Sequence, residues 1–188
     1  MKPLDFFLAL YIFFSLNMAF AKMPPYKDTG VALDTLAPEL QVRDIENKPQ
    51  TLSSLSGENG LVLVFFRSAD WCPFCKRHLL EMKTWEDPLQ KQGYKIAAVS
   101  YDSIETLKTF SQANSLPYPL LADQKHQTII SFNVLNQEEA PGTMGYGIPY
   151  PGAMIIDNKG LVKFKYFYEG YKDRVNLQQI LTALPTKH

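Results

Sequence analysis

Both cysteines of the 188-residue chain lie in one short segment, Asp70-Trp71-Cys72-Pro73-Phe74-Cys75-Lys76-Arg77. The apolar run at 61–66 precedes this segment and apolar residues at helical spacing follow it, so the pattern predicts a buried strand, a turn and a helix. A thiol at the start of a helix has a lowered pKa, because the free N–H groups and the helix dipole favour the thiolate. Cys75 follows Cys72 by one helical turn and is close enough to form a disulfide with it.

The composition and the N-terminal residues restrict the class of protein. The 19 basic and 19 acidic residues balance, and no basic cluster indicates a nucleic-acid partner. Residues 1–21 combine a basic start, an apolar core and the site Ala19-Phe20-Ala21, which predicts a cleaved signal peptide and a periplasmic or secreted protein. The alternative is an uncleaved membrane anchor, which would be the chain's only membrane contact. Residues 22–35 are predicted to be an irregular lead-in and residues 36–188 a single domain.

The predicted export bears on the use of the two cysteines. Exported proteins usually place cysteines in structural disulfides. Here the pair would close a very short loop and add little stability, and no further cysteine is present. The pair is therefore predicted to be redox-active rather than structural.

Strand-like and helix-like segments alternate along the chain and predict an α/β domain. Residues 36–42 and 51–53 are predicted to form an N-terminal β-hairpin, and further strands are predicted at 61–67, 94–101, 153–156 and 161–168. Helices are predicted from Pro73 to a break at Pro88, at 104–114, at 124–132 and at 175–184. Asp102 or Ser103 is the predicted N-cap of the second helix, and Asp173 that of the last.

These segments resemble a known family. Trp71-Cys72-Pro73-Phe74-Cys75 after an apolar strand resembles a thioredoxin-fold active site. Residues 65–67, 97–102, 116–123 and 149–157 resemble the peroxiredoxin branch, which is the alkyl hydroperoxide reductase/thiol-specific antioxidant, or redoxin, family. The resemblance extends from about residue 36 to residue 184. It implies a thioredoxin-like fold with a mixed central sheet flanked by helices.

The same resemblance implies a substrate-binding loop. In it, Pro151 would be a cis-proline opposite the cysteines, and Tyr150 and Trp71 would contact the substrate. The alternative is that Pro149 and Pro151 only keep a loop extended before a strand.

Disulfide exchange is the first activity that fits the thiols. Cys72, at the helix start and the more exposed of the two, attacks a substrate disulfide, and Cys75 then resolves the mixed disulfide. Pro73 and Phe74 tune the redox potential, and the dipeptide Lys76-Arg77 adds positive charge that favours thiolate. This interpretation requires a protein or small-molecule disulfide as substrate and an external thiol reductase or oxidase for recycling. It requires no cofactor beyond the redox-active disulfide.

A thiol-dependent peroxidase is the alternative, with Cys75 or Cys72 as the peroxidatic cysteine. The resemblance implies a Pro-x-x-x-Thr/Ser-x-x-Cys signature, but with Cys75 as the reactive thiol, Cys72 stands where the Thr belongs. The family's thiolate-binding Arg has no counterpart in residues 149–152. Peroxide could still oxidise Cys75 to a sulfenic acid that Cys72 resolves.

Two residues next to the cysteines, Arg67 and Trp71, have two interpretations each. Arg67 either supports the thiols or is an ordinary charge at a strand end. Trp71 either covers the thiols as a lid and contact surface or packs in the core.

A zinc site of Cys72, Cys75 and His78 needs a fourth ligand, for which only His126 and His188 are available. No metal is therefore predicted, and His78 is expected on the helix surface. A binding domain without catalysis is disfavoured by the two intact cysteines.

Overall fold

The protein's structure is a computed structural model that describes residues 26–143 and 145–185. Its strands are β1 (Val42–Arg43), β2 (Pro49–Gln50), β3 (Gly60–Phe65), β4 (Tyr94–Ser100), β5 (Leu120–Ala122), β6 (Gly152–Asp157) and β7 (Val162–Phe167). Its helices are α1 (Leu52–Leu55), α2 (Pro73–Glu81), α3 (Glu86–Lys91), α4 (Ile104–Asn114), α5 (Gln127–Ser131) and α6 (Leu177–Ala183), with a 3-10 turn at Met82–Trp85.

The strands form one mixed sheet in the order β2-β1-β5-β4-β3-β6-β7. Strands β3, β4 and β5 are parallel, whereas β6 runs antiparallel to both β3 and β7. The β1–β2 hairpin joins the other side of the sheet through an antiparallel contact with β5. The predicted α/β class and the mixed sheet are confirmed, and an N-terminal hairpin is present, but its strands lie at 42–43 and 49–50 rather than at 36–42 and 51–53.

Strand β3 lies at the centre of the sheet and is buried on both faces. Its alternate residues enter two separate cores: Val62 and Val64 pack with α2 and the 3-10 turn, and Leu63 packs with α5. All six of its residues are buried, as an unbroken apolar run predicts for a strand covered by helices on both sides. This strand leads directly to the cysteine segment, which therefore starts from a rigid element.

Several element boundaries differ from the sequence predictions. The predicted return strand at 51–53 is wrong, because Thr51 caps α1 with its hydroxyl and the strand ends at Gln50. The helix after the cysteines breaks at the 3-10 turn, and Pro88 lies in the first turn of α3, where its missing N–H is tolerated. The last helix is capped by Asn176 rather than Asp173, through a capping box with Gln179.

The predicted signal peptide and the first residues of the lead-in lie outside the described residues. Within the part that the structure describes, no helix is both long and apolar enough to cross a membrane.

Candidate active site

A buried carboxylate fixes the loop between β3 and the cysteines. The Oδ1 of Asp102 accepts a hydrogen bond from the Ser68 hydroxyl at 2.8 Å, and its Oδ2 accepts one from the Ala69 N–H at 2.7 Å and one from the Ser100 hydroxyl at 2.9 Å. Burial raises the pKa of the Asp102 carboxyl although these hydrogen bonds oppose the shift. Ser103 is the N-cap of α4, so Asp102 is free to hold the loop instead.

Helix α2 begins directly at the cysteine pair. Cys72 is the N-cap residue, Pro73 is the first helical residue, and the Cys75 N–H points at Cys72 Sγ over 3.2 Å. The two cysteines form a disulfide across a Cα–Cα distance of 5.2 Å. The predicted position of the pair at a helix N-terminus is confirmed, and a thiolate on Cys72 would lie at the positive end of the α2 dipole.

The two sulfur-bearing residues are almost completely enclosed. Cys72 is 1% exposed and Cys75 is 0% exposed, so Cys72 exceeds Cys75 in exposure only marginally and both are buried in the disulfide state. The cover includes Arg174, whose Nη2 lies 3.0 Å from Cys75 Sγ and 3.6 Å from Cys72 Sγ. The sequence analysis did not identify Arg174, since it belongs to a polar run that resembles a surface loop.

Arg174 belongs to the 171–175 segment, which lies across the start of α2 and makes three contacts with it. The Tyr171 ring packs edge-on against Phe74 with 5.7 Å between centroids, Arg174 touches the sulfurs, and the Val175 carbonyl lies 2.9 Å from His78 Nε2. His78 is 3% exposed, so its expected surface position is wrong. Burial and the nearby Arg174 charge lower the pKa of His78 to about 3, which keeps the imidazole neutral.

Aromatic and cationic side chains form the rim of the site. Trp71 is 41% exposed, and its Nε1 donates a hydrogen bond to the Tyr101 hydroxyl at 2.9 Å, so Trp71 is not a core residue. The Arg67 guanidinium lies between two rings, 4.8 Å from the centroid of Trp71 and 5.5 Å from that of Tyr171. Arg67 is thus placed next to the covering segment, where it contacts the rim and not the sulfurs.

The loop before β6 differs from the expected substrate loop. The peptide bonds of the described residues are all trans, so the cis conformation predicted at Pro151 is wrong. Pro151 is buried, and its carbonyl accepts a hydrogen bond from the Tyr168 N–H at 2.9 Å. Tyr150 is 3% exposed and packs in the core, with the Lys27 ammonium 4.8 Å above its ring. In this state neither side chain presents a surface to a substrate.

The residues of the rejected zinc site have other partners. Cys72 and Cys75 are bonded to each other and His78 contacts a backbone carbonyl, while His188 lies outside the described residues. Within the described ranges, no group of three or more His, Cys, Asp or Glu side chains is arranged to hold a metal ion.

The arrangement brings together the parts that thiol–disulfide chemistry needs. Two sulfurs are within bonding distance, one lies at the positive end of a helix, and a guanidinium lies against the other. Reduction would break the S–S bond and leave Cys72 at the positive end of the α2 dipole and Cys75 against the Arg174 guanidinium. The geometry fits both exchange with a disulfide and oxidation by a peroxide, since each begins with a thiolate.

Comparisons with known proteins agree with this geometry. Residues 33–165 match the model of the AhpC/TSA family. The chain is 30% identical over 137 residues to the thiol-disulfide oxidoreductase ResA of Geobacillus thermodenitrificans, covering 72% of this chain and 69% of ResA. It is 26% identical over 129 residues to the chloroplastic peroxiredoxin Q of Sedum lineare, covering 69% of this chain and 65% of that protein, which is just under two thirds of its length.

The solved structures that are similar to the chain show the fold alone. Peroxidoxin BcpB from Mycobacterium tuberculosis superposes with a TM-score of 0.67 at 20% identity, covering 81% of this chain and 93% of that chain. The relatives are of two kinds, disulfide oxidoreductases and peroxiredoxins, and peroxiredoxins are the more frequent.

Proposed function

The chain belongs to the AhpC/TSA redoxin family, and on that premise we propose that it is a thiol–disulfide oxidoreductase acting through Cys72 and Cys75. The observation that carries the proposal is the Cys72–Cys75 disulfide at the N-terminus of α2 in a chain without other cysteines. In the reduced protein, the Cys72 thiolate attacks a substrate disulfide and releases one half as a thiolate. Cys75 then attacks Cys72 Sγ, releases the second half and leaves the pair oxidised by two electrons.

Supporting residues act on this pair in distinct ways. Pro73 and Phe74 set the backbone between the sulfurs, and Trp71 and Arg67 offer an aromatic and cationic contact surface beside them. The substrate is a protein or small-molecule disulfide, and an external thiol reductase or oxidase restores the pair. The signal-like residues 1–21 support export to the periplasm or the medium, which N-terminal sequencing of the mature protein tests.

Peroxide reduction is the second candidate because the structure supplies an arginine at the sulfurs. The sequence offered no such residue near Pro151, yet Arg174, which lies 99 residues after Cys75 in the chain, contacts its sulfur. In this reaction Cys75 attacks a peroxide oxygen, becomes a sulfenic acid and releases water or an alcohol. Cys72 then condenses with the sulfenic acid, which gives the disulfide and water.

One set of assays separates the two activities. Insulin-disulfide reduction and hydrogen peroxide consumption are measured for the wild type, Cys72→Ser and Cys75→Ser, each with dithiothreitol as reductant. Disulfide exchange predicts that Cys72→Ser abolishes insulin reduction. It also predicts that Cys75→Ser, reduced beforehand and mixed with insulin after the dithiothreitol has been removed, accumulates mixed disulfides visible by mass. Rapid peroxide turnover that survives in Cys72→Ser, with no insulin reduction by the wild type, would instead establish the peroxidase. Full activity of both variants would refute both mechanisms.

A further inference from the structure

Arg174 carries a positive charge that has no carboxylate partner in the disulfide state. Its Nη1 donates to the carbonyls of Tyr171 at 2.9 Å and Asp173 at 2.5 Å, and its Nη2 points at the sulfurs. Its Nε is buried without a hydrogen-bond partner. Among the described residues, no Asp or Glu oxygen lies within salt-bridge distance of it.

This environment is unfavourable for a cation. Burial, together with the neighbouring charges of Arg67 and Arg77, lowers the pKa of Arg174 to about 10. A neutral disulfide sulfur is only a weak acceptor and compensates little of the lost hydration. A thiolate on Cys75 would be an anion at 3.0 Å, in line with Nη2.

We propose that Arg174 shifts the redox equilibrium of the pair toward the reduced form, because its guanidinium gains an anionic partner only when Cys75 becomes a thiolate. The proposal rests on the proposed function of the same two cysteines. Reduction by two glutathione molecules breaks the S–S bond and gives one glutathione disulfide, one free proton, and a cysteine pair that carries one thiol proton and one negative charge. With the remaining proton on Cys75, Cys72 is the attacking thiolate; with it on Cys72, Cys75 is the thiolate that faces Arg174. The pair is therefore predicted to have a higher reduction potential than it would have without the Arg174 charge.

The same contact gives the resolving cysteine its reactivity. The Arg174 Nη2 lies 3.0 Å from Cys75 Sγ, so a Cys75 that this contact holds as thiolate is already the attacking species and needs no separate base.

The test compares charge removal at Arg174 with charge removal at a matched site. Arg174→Gln, Arg174→Lys and Arg43→Gln are equilibrated with glutathione redox buffers, and the equilibrium constant for reduction is read from the fraction of free thiol. A charge-assisted hydrogen bond predicts a decrease of roughly tenfold or more in Arg174→Gln, equivalent to a potential lower by about 30 mV. Arg43 is exposed on β1, which two strands separate from β3, so Arg43→Gln should change the constant by less than about twofold. Arg174→Lys, which keeps the charge, should lie between the wild type and Arg174→Gln.

A second measurement keeps the test decisive if Arg174→Gln does not fold. In Cys72→Ser, the thiolate absorbance of Cys75 is titrated with Arg174 intact, and we expect a pKa at least about one pH unit below the free-cysteine value of about 8.5. A Cys75 pKa at or above that value, or an Arg174→Gln potential equal to or above the wild type's, would overturn the proposal. Neither measurement needs client turnover, so a failure of the exchange activity and a failure of this inference remain distinguishable.

Discussion

Mild acid should destabilise the folded protein through one buried imidazole, that of His78. The His78 ring is 3% exposed and packs against Trp85 with 5.3 Å between centroids. Its Nε2 donates to the Val175 carbonyl, because a carbonyl oxygen can only accept, and its Nδ1 is buried without a partner. In the folded protein, a second ring proton would sit on Nδ1, where no acceptor among the described residues is present to bind it.

The magnitude follows from the difference between the folded and unfolded pKa values. The pKa of His78 is about 3 in the folded protein, against the ordinary histidine value of 6.5 in the unfolded chain. Above the unfolded value the imidazole is neutral in both states. Below it, the unfolded chain binds a proton that the folded protein does not, so stability falls by about 1.4 kcal/mol per pH unit until the folded pKa is reached. The loss at about pH 5 is then about 2 kcal/mol.

A second buried group acts in the opposite direction and must be separated from His78. Burial raises the pKa of Asp123 to about 6, from 3.8. Between about pH 7 and pH 5 the folded protein therefore binds a proton at Asp123 that the unfolded chain does not, which adds about 1 kcal/mol of stability. The pH dependence of the wild type alone would show only the sum.

Urea unfolding at about pH 7 and pH 5 resolves the two contributions. The free energy of unfolding is measured for the oxidised wild type, His78→Gln and Asp123→Asn. Gln keeps a donor for the Val175 carbonyl and does not titrate, so its stability relative to the wild type should improve by about 2 kcal/mol on acidification. Asp123→Asn should show the reverse, with a steeper loss in acid than the wild type. An identical pH dependence of the wild type and His78→Gln would refute the reasoning.

Two further substitutions, Asp102→Asn and Gly152→Ala, test buried contacts of the loop before the cysteines and of β6. Asp102→Asn replaces the carboxylate that accepts from the Ala69 N–H with an amide. It should lower the free energy of unfolding by about 1–3 kcal/mol and slow insulin reduction. The control Asp70→Asn changes an exposed side chain and should stay within about 0.5 kcal/mol of the wild type. Gly152→Ala places a Cβ against the Tyr166 carbonyl and the Phe167 ring, and should cost about 1–3 kcal/mol, measured as a lower thermal midpoint; Gly142→Ala, which has open space but a positive φ, should cost less. Wild-type stability of Gly152→Ala, or equal losses in both Asp variants, would contradict these expectations.

Local patterns in the sequence were sufficient for the cysteine pair and its supporting elements. An unbroken apolar run identified β3, and Pro73 after Cys72 identified the start of α2, because both signals depend only on neighbouring residues. The Asn176-x-x-Gln179 spacing is a capping-box signal of the same kind. It would have placed the last helix correctly and left the preceding residues as an extended segment.

The residues that the sequence did not reveal are placed by tertiary packing. Asp102 and Ser103 are both good helix caps, and only the position of Ser68, which lies 34 residues earlier, decides that Asp102 binds the loop. His78 is polar in a helix with exposed neighbours, and its burial depends on the segment that crosses α2. Tyr150 sits in a Pro-rich run typical of a loop, yet its ring packs in the core.

The 171–175 segment links access to the sulfurs with their chemistry. A protein client cannot reach Cys72 Sγ at 1% exposure, so Tyr171 and Arg174 must move before a mixed disulfide forms. Their contacts with α2 are one edge-on aromatic pair and hydrogen bonds to weak sulfur acceptors, whereas Val175 is anchored in the core. We expect a movement of Tyr171 and Arg174 away from α2 to break far fewer contacts than global unfolding. Cys75 acts last in disulfide exchange, so the proposed thiolate contact requires Arg174 to lie against Cys75 again at that step.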